Sequence, residues 1–220
     1  MLKPKKNNAL KRMLTYAAIF ILLICAAYAV GYKTGFDKGA DSASRNRNIL
    51  LVNAENLLPA DYVPQDLVNL YEMRHSFRLA SSDIYMAREA YEPMQEMFYA
   101  AELENVNGFI VTSAYRSYER QKEIYAESEP GYAQTPGASE HQTGLCFDVT
   151  AMNSADGFEN TEQYKWLRAN AYKYGFIQRY PANKSHITGI SYEPWHYRYV
   201  GVDAAEYIYR NNITLEEYLK

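Results

Sequence analysis

A run of twenty residues without a charge, MLTYAAIFILLICAAYAVGY at positions 13–32, divides this 220-residue chain into unequal parts. As a helix rising about 1.5 Å per residue, the run reaches roughly 30 Å, the thickness of a bilayer core. A core helix of a soluble domain keeps a polar face over such a length, and this run has none. Residues 1–12 carry Lys3, Lys5, Lys6, Lys11 and Arg12 and no acid. A basic N-terminal flank predicts that this end stays in the cytoplasm. A cleaved signal peptide is the rival, because Ala27-Tyr28-Ala29 resembles a small-x-small cleavage site, but the run exceeds the usual apolar region of about 7 to 15 residues. A lipoprotein site at Cys25 is a poorer fit, since Ile24 before it is bulky. The expectation is an uncleaved transmembrane signal anchor over 13–32, with a cytoplasmic basic tail over 1–12. Every one of these readings places the rest of the chain outside the cytoplasmic membrane.

The net charge of -3 hides an asymmetry. Removing the five positive charges of the tail leaves the other 208 residues at -8. An acidic exterior argues against nucleic acid as a partner, and against holding an anionic wall by bulk charge. With 22% charged and 48% hydrophobic residues, the chain is neither wholly disordered, collagenous nor a multi-span membrane protein. Two cysteines exclude a disulfide scaffold. Cys25 lies in the apolar run, which leaves Cys146 without an intramolecular partner outside.

Residues 33–48 (KTGFDKGADSASRNRN) are polar with no apolar period and read as a flexible stalk. Residues 49–220 then read as one domain. The run 49–52 is β-prone, and Pro59 and Pro64 punctuate the loop after it. Met94, Met97, Phe98, Ala101 and Leu103 form a helical stripe, with Pro93 expected in the first turn, where proline is tolerated. Residues 108–113 read as a strand, and Ser117 caps a helix running through Glu127. Residues 145–150, 176–179 and 192–200 read as further strands. Asn160 with Gln163 looks like a capping box for a helix ending near Gly175, and Thr214 with Glu217 opens a short terminal helix. Strands and helices do not alternate regularly, which predicts an α+β domain with a largely antiparallel sheet flanked by helices.

Three segments carry chemistry. In SEHQTGLCFD (139–148), His141 lies in the loop before a strand and Asp148 within that strand. Imidazole nitrogen and carboxylate oxygen are both good ligands for divalent zinc. Taken alone, the pair reads equally as two solvated polar residues. In EPWHYRY (193–199), Glu193 precedes His196 by three. His196 suits a third ligand, with Glu193 facing an open coordination position as the group that takes a proton from water. Alone, this segment reads better as an aromatic core strand with a satisfied histidine. In SAYRSYERQ (113–121), Arg116 sits where a strand gives way to a helix, a place from which an arginine can fork onto a carboxylate or steady an oxyanion. Gln121 follows about one helical turn later. On its own, this arginine reads as a surface residue. Of the four histidines, His75 and His186 fall in no such segment.

Together and in this order, the three segments resemble the zinc D-alanyl-D-alanine carboxypeptidases of the VanY type, in the M15 peptidase group, which also holds L,D-carboxypeptidases. The family pattern is approximately S-x-Y-R-S-x-x-x-Q, then S-x-H-x-x-G-x-A-x-D, then E-x-W-H. The resemblance spans about residues 49–220. It implies zinc held by His141, Asp148 and His196, with Glu193 as general base and acid. It implies that Arg116 polarises the scissile carbonyl or holds substrate, that Ser139 and Gln121 help hold the substrate carboxylate, and that Trp195 shapes the site. The implied substrate is a peptidoglycan stem peptide or its precursor, losing its terminal D-alanine to a metal-activated water. An L,D-carboxypeptidase acting on tetrapeptide stems, or a non-catalytic wall-binding module, are the alternatives. Cys146 stands where the family usually has a small Ala, and reads as a packing substitution because a further thiolate would close the position that water needs.

Overall fold

The computed structural model describes residues 49–129 and 133–220. The basic tail, the uncharged run and the stalk expected before residue 49 lie outside the described residues. No helix among the described residues is long and apolar enough to cross a membrane.

Strands β1 (Leu67–Asn69), β2 (Arg78–Leu79) and β3 (Tyr85–Ala87) lead into helix α1 (Arg88–Leu103). Strand β4 (Phe109–Ser113), helix α2 (Tyr118–Glu127), a 3-10 turn at Glu140–Thr143 and strand β5 (Cys146–Ala151) follow. Helix α3 (Glu162–Asn170), strand β6 (Phe176–Tyr180), the short α4 (Ser185–Thr188), strand β7 (Glu193–Tyr199), α5 (Val202–Asn211) and α6 (Leu215–Leu219) complete the domain. The main sheet has the order β2-β4-β5-β7-β6, and β1 pairs separately with β3. Only β2 and β4 run parallel in the main sheet; the other neighbours are antiparallel. The domain is therefore mixed α+β, with its sheets flanked by helices.

Alternation along β5 and β7 divides the sheet into two unlike faces. Phe147, Val149 and Ala151 join the main core with Tyr197. Helix α1 lays Ala90, Tyr91, Met94, Met97, Phe98 and Ala101 against it. Phe98 meets Phe109 at 4.7 Å and Phe147 at 5.7 Å between ring centroids, and Phe147 meets Phe176 at 5.4 Å. A smaller cluster of Ile177, Val200, Ala204, Ala205, Ile208, Leu215 and Tyr218 lies under α5 and α6.

Several local expectations shift in the structure. Helix α1 starts at Arg88, so Pro93 sits beyond the first turn. The start is set from outside the helix: Ala87 N–H donates to the Gly144 carbonyl and Arg88 N–H to the Asp66 carbonyl. Ala90 and Tyr91 then extend the buried stripe upstream, while Leu103 at the helix end is exposed. Thr161, not Asn160, caps α3, its hydroxyl accepting from Tyr164 N–H. Asn160 donates to the Asp156 carbonyl and Gln163 to the Asn107 carbonyl, so neither serves a cap. Residues 49–52 form no strand; the Leu50 carbonyl accepts from the Arg198 side chain instead of joining a ladder. Ser117 caps α2, and the Thr214–Glu217 capping box opens α6.

Candidate metal centre

The loop that carries His141 is fixed by its glycine. Gly144 closes the 3-10 turn at φ 68°, where a side chain is strained. A Cβ there would lie 3.1 Å from Pro64 Cγ and 3.3 Å from Ala87 N. The chain then enters β5, whose register sets Asp148 opposite His196 and Cys146 opposite Arg198. A bulge in β4 between Val111 and Ser113 brings Ser113 opposite Asp148.

These constraints bring the predicted residues of two segments to one point. His141 Nε2 lies 3.3 Å from Asp148 Oδ2, and His196 Nδ1 lies 2.9 Å from Asp148 Oδ1. Glu193 Oε2 stands 3.9 Å from the same His196 nitrogen. Each histidine is held by its other nitrogen. His141 Nδ1 is 2.5 Å from the Ala114 carbonyl, and His196 Nε2 is 3.4 Å from Glu140 Oε2. Without a metal, His141 Nε2 and His196 Nδ1 donate to Asp148; a metal at this point would displace those protons and take the two nitrogens as ligands, leaving the outer nitrogens protonated. Cys146 also faces this point: its sulfur and one nitrogen of each histidine lie within 4.8 Å of one another. The sequence reading of Cys146 as packing alone left out that its side chain alternates onto the same face as Asp148.

The third segment flanks this point. Arg116 N–H donates to the His141 carbonyl, which ties the β4–α2 junction to the histidine loop. The Arg116 guanidinium donates to Gln121 Oε1 at 2.8 Å and to Ser113 Oγ at 3.2 Å. Gln121 in turn donates to the Gln134 carbonyl at 2.6 Å. Ser139 is buried at the start of the 3-10 turn. Trp195 is 41% exposed. It lines a cleft of about 370 Å³ together with Thr112, Asp148, Thr150 and Ser154.

Sequence reasoning missed the charges behind the histidines. Glu140 is fully buried and accepts from Arg179 Nε at 2.8 Å and Arg198 Nη1 at 2.9 Å. Arg179 also forks onto Glu216 of α6, at 2.9 and 2.5 Å. The signal was available: an arginine within each apolar strand (FIQRY and EPWHYRY) demands a buried partner.

The electrostatics follow from this crowding. Burial alone would raise the Asp148 carboxyl, but the charge and hydrogen bond of His141 outweigh it and hold Asp148 well below the carboxylate range. Burial opposes a charge on His141, yet Cys146 and Asp148 push the imidazole up to about 9. At Cys146, His141 and His196 overcome burial and bring the thiol down to about 7. Burial raises Glu193, and the neighbouring Asp148 adds to the rise while His196 opposes it.

Two imidazoles, a carboxylate and a thiol converging on one point, with a second carboxylate beside them, define a metalloenzyme-type pocket on an α+β sheet. The chain belongs to the VanY family, D-alanyl-D-alanine carboxypeptidase, whose family model matches residues 83–202. A D-alanyl-D-alanine carboxypeptidase of Enterococcus faecium is 40% identical over 175 residues, covering 78% of this chain. This chain spans 57% of that relative's length. The LdcB LD-carboxypeptidase structure is similar with a TM-score of 0.69 at 40% identity, covering 79% of this chain and 86% of its own. A zinc-bound mutant of the vancomycin-resistance D,D-pentapeptidase VanY, from a VanB-type cassette, has a TM-score of 0.64 at 36% identity. That match covers 79% of this chain and 99% of the VanY chain.

Proposed function

We propose that this protein is a zinc-dependent D,D-carboxypeptidase that removes the terminal D-alanine from peptidoglycan stem peptides. The observation that carries the reading is the meeting of His141, Asp148 and His196, each imidazole held from behind, with Glu193 Oε2 3.9 Å from His196 Nδ1. Nitrogen and carboxylate donors of this kind suit zinc, and the zinc-bound VanY relative supports the choice of metal. His141, Asp148 and His196 are the ligands. When bound, zinc acts as a Lewis acid and lowers the pKa of an attacking water to roughly 7.

The chain's own groups do the rest. Glu193, raised by burial, takes the proton of the attacking water and returns it to the leaving amine. Arg116, braced by Gln121 and Ser113, presents its guanidinium to the scissile carbonyl oxygen or the terminal carboxylate. Ser139 and Gln121 help hold that carboxylate, and Trp195 shapes the cleft in which the rest of the stem lies. Cys146 lies close enough to compete for the metal, and its replacement by alanine tests that role.

A second reading has support of its own. The LdcB LD-carboxypeptidase is as similar in sequence as the D,D-enzymes and has the higher TM-score of the two structures described. Purified full-length protein offered pentapeptide and tetrapeptide stems, with products read by mass spectrometry, separates the two. Loss of alanine from the pentapeptide is expected; loss from the tetrapeptide alone transfers the assignment to L,D-cleavage. A protein that carries no zinc and ignores chelators would instead be a wall-binding module.

The uncharged run at 13–32 with its basic flank supports a signal anchor, with the N-terminus cytoplasmic and the domain on the outer side. The anchor would hold the site at the inner edge of the wall. Protease added to intact cells should digest the domain and spare the tail.

A further inference from the structure

We propose that Glu140 is a positioning residue for the metal centre: it holds His196 by Nε2, so that Nδ1 is presented to the metal, and Arg179, Arg198 and Glu216 hold Glu140 in turn. The inference rests on the reading of His196 as a ligand. It is carried by how Glu140 divides its two oxygens. Oε1 accepts from both arginines, at 2.8 and 2.9 Å, while Oε2 faces His196 Nε2 at 3.4 Å. One oxygen is thus fixed by two cations and the other is left for the histidine.

The arrangement is larger than packing requires. Glu140, Arg179 and Arg198 are fully buried and Glu216 nearly so, two anions balancing two cations. Well-packed apolar residues of similar volume generally stabilise a core as well as a buried ion cluster or better, so stability alone does not account for four such side chains. Metal-binding histidines, by contrast, depend on an outer partner for their other ring nitrogen, which fixes the tautomer and ring angle and raises ligand basicity. His141 has the Ala114 carbonyl in that place. His196 has Glu140, and a carboxylate makes it the more basic of the two donors. The cluster also binds distant parts of the chain to this one ring. Glu216 lies on α6, and Arg198 donates to the Leu50 carbonyl at 2.7 Å.

The test uses the full-length chain and zinc alone, by competition with a chromophoric chelator. Glu140→Gln should weaken zinc binding about 10- to 100-fold. At saturating zinc it should lower kcat with little change in KM, while thermal unfolding stays cooperative. Glu216→Gln, one ion pair further out, should weaken zinc several-fold less than Glu140→Gln. The wild type gives a reading that needs no variant. With only four histidines, 15N-histidine labelling should show zinc-loaded His196 protonated at Nε2 and metal-bound at Nδ1. Zinc affinity within twofold of wild type in folded Glu140→Gln, or a His196 protonated at Nδ1, overturns the inference. If Glu140→Gln does not fold, the wild-type tautomer and Glu216→Gln decide it. A wild-type chain that takes up no zinc overturns the metal reading itself, an outcome distinct from zinc bound through the other nitrogen.

Discussion

Along β5, Phe147 and Val149 enter a core of rings, while Cys146 and Asp148, one residue out of step, enter a pocket of charges. β7 repeats the contrast, with Tyr197 on the ring side and His196 and Arg198 on the other. Both faces are largely buried, although Asp148 on the charged face is only partly so, and they obey different rules. The ring face needs volume and shape, and tolerates redistribution among its members. The charged face needs a named partner for each polar atom, because any one left over is costly in a low-dielectric interior. One sheet therefore holds a scaffold and a device that share strands but not the same sensitivities.

The largest effect expected is on catalysis from the rim of the charged face. Glu193→Gln keeps the ligands and should retain zinc, while kcat falls about 10²- to 10⁴-fold, the usual contribution of a positioned acid-base group. Metal content and turnover measured on the same sample check it, and full turnover would remove Glu193 from the chemistry.

Next comes a matched pair that sets one face against the other. Phe147→Ala should destabilise the domain by about 3–5 kcal/mol through the cavity it leaves. Arg198→Met should cost about as much, 3–5 kcal/mol, by leaving two buried carboxylates, Glu140 and Glu216, to share the one arginine Arg179. Chemical unfolding should give similar losses, but only Arg198→Met should also weaken zinc in the folded protein. Equal zinc affinity in the two variants would erase the distinction between the faces.

Acid should expose the charged face more gently. Burial alone would raise Glu140, yet Arg179 and Arg198 lower it below its ordinary 4.5. A carboxyl depressed by folding contributes stability that is present above its unfolded pKa and is lost as pH falls below that value. The melting temperature of zinc-free protein should therefore drop from pH 4.5 downward, and the slope should flatten in Glu140→Gln. An unchanged slope would assign acid sensitivity to other carboxyls.

The smallest effect expected is at Cys146. Cys146→Ala, which restores the usual family residue, should leave zinc affinity within about threefold, since three protein ligands and a water complete a catalytic zinc. A larger loss would make the thiol a ligand.

What could be read from the sequence follows distance along the chain. His141 and Asp148 are seven residues apart and Glu193 and His196 three, so their spacing was visible as motif. Strands β4 to β7 carried enough apolar residues to announce themselves. The ion cluster could not be read this way, since Glu140 meets Arg179 and Arg198 across 39 and 58 positions. Strands β1 to β3 are only two or three residues long, too short for any period to register. Helix α5 did have a signal that went unread. Ala204, Ala205 and Ile208 form its buried stripe, between Gly201 and a left-handed Asn212 at φ 51°. At α3, Asn160 and Thr161 are both good caps, and only the backbone hydrogen bonds chose between them.

The bond from Arg198 to the Leu50 carbonyl sets a practical boundary for producing the domain on its own. A fragment begun at residue 52 would keep all three sequence motifs and match the family model over its full range. It would also leave a buried guanidinium without one of its acceptors, one step behind His196 through Glu140. Expressed fragments should start before Leu50.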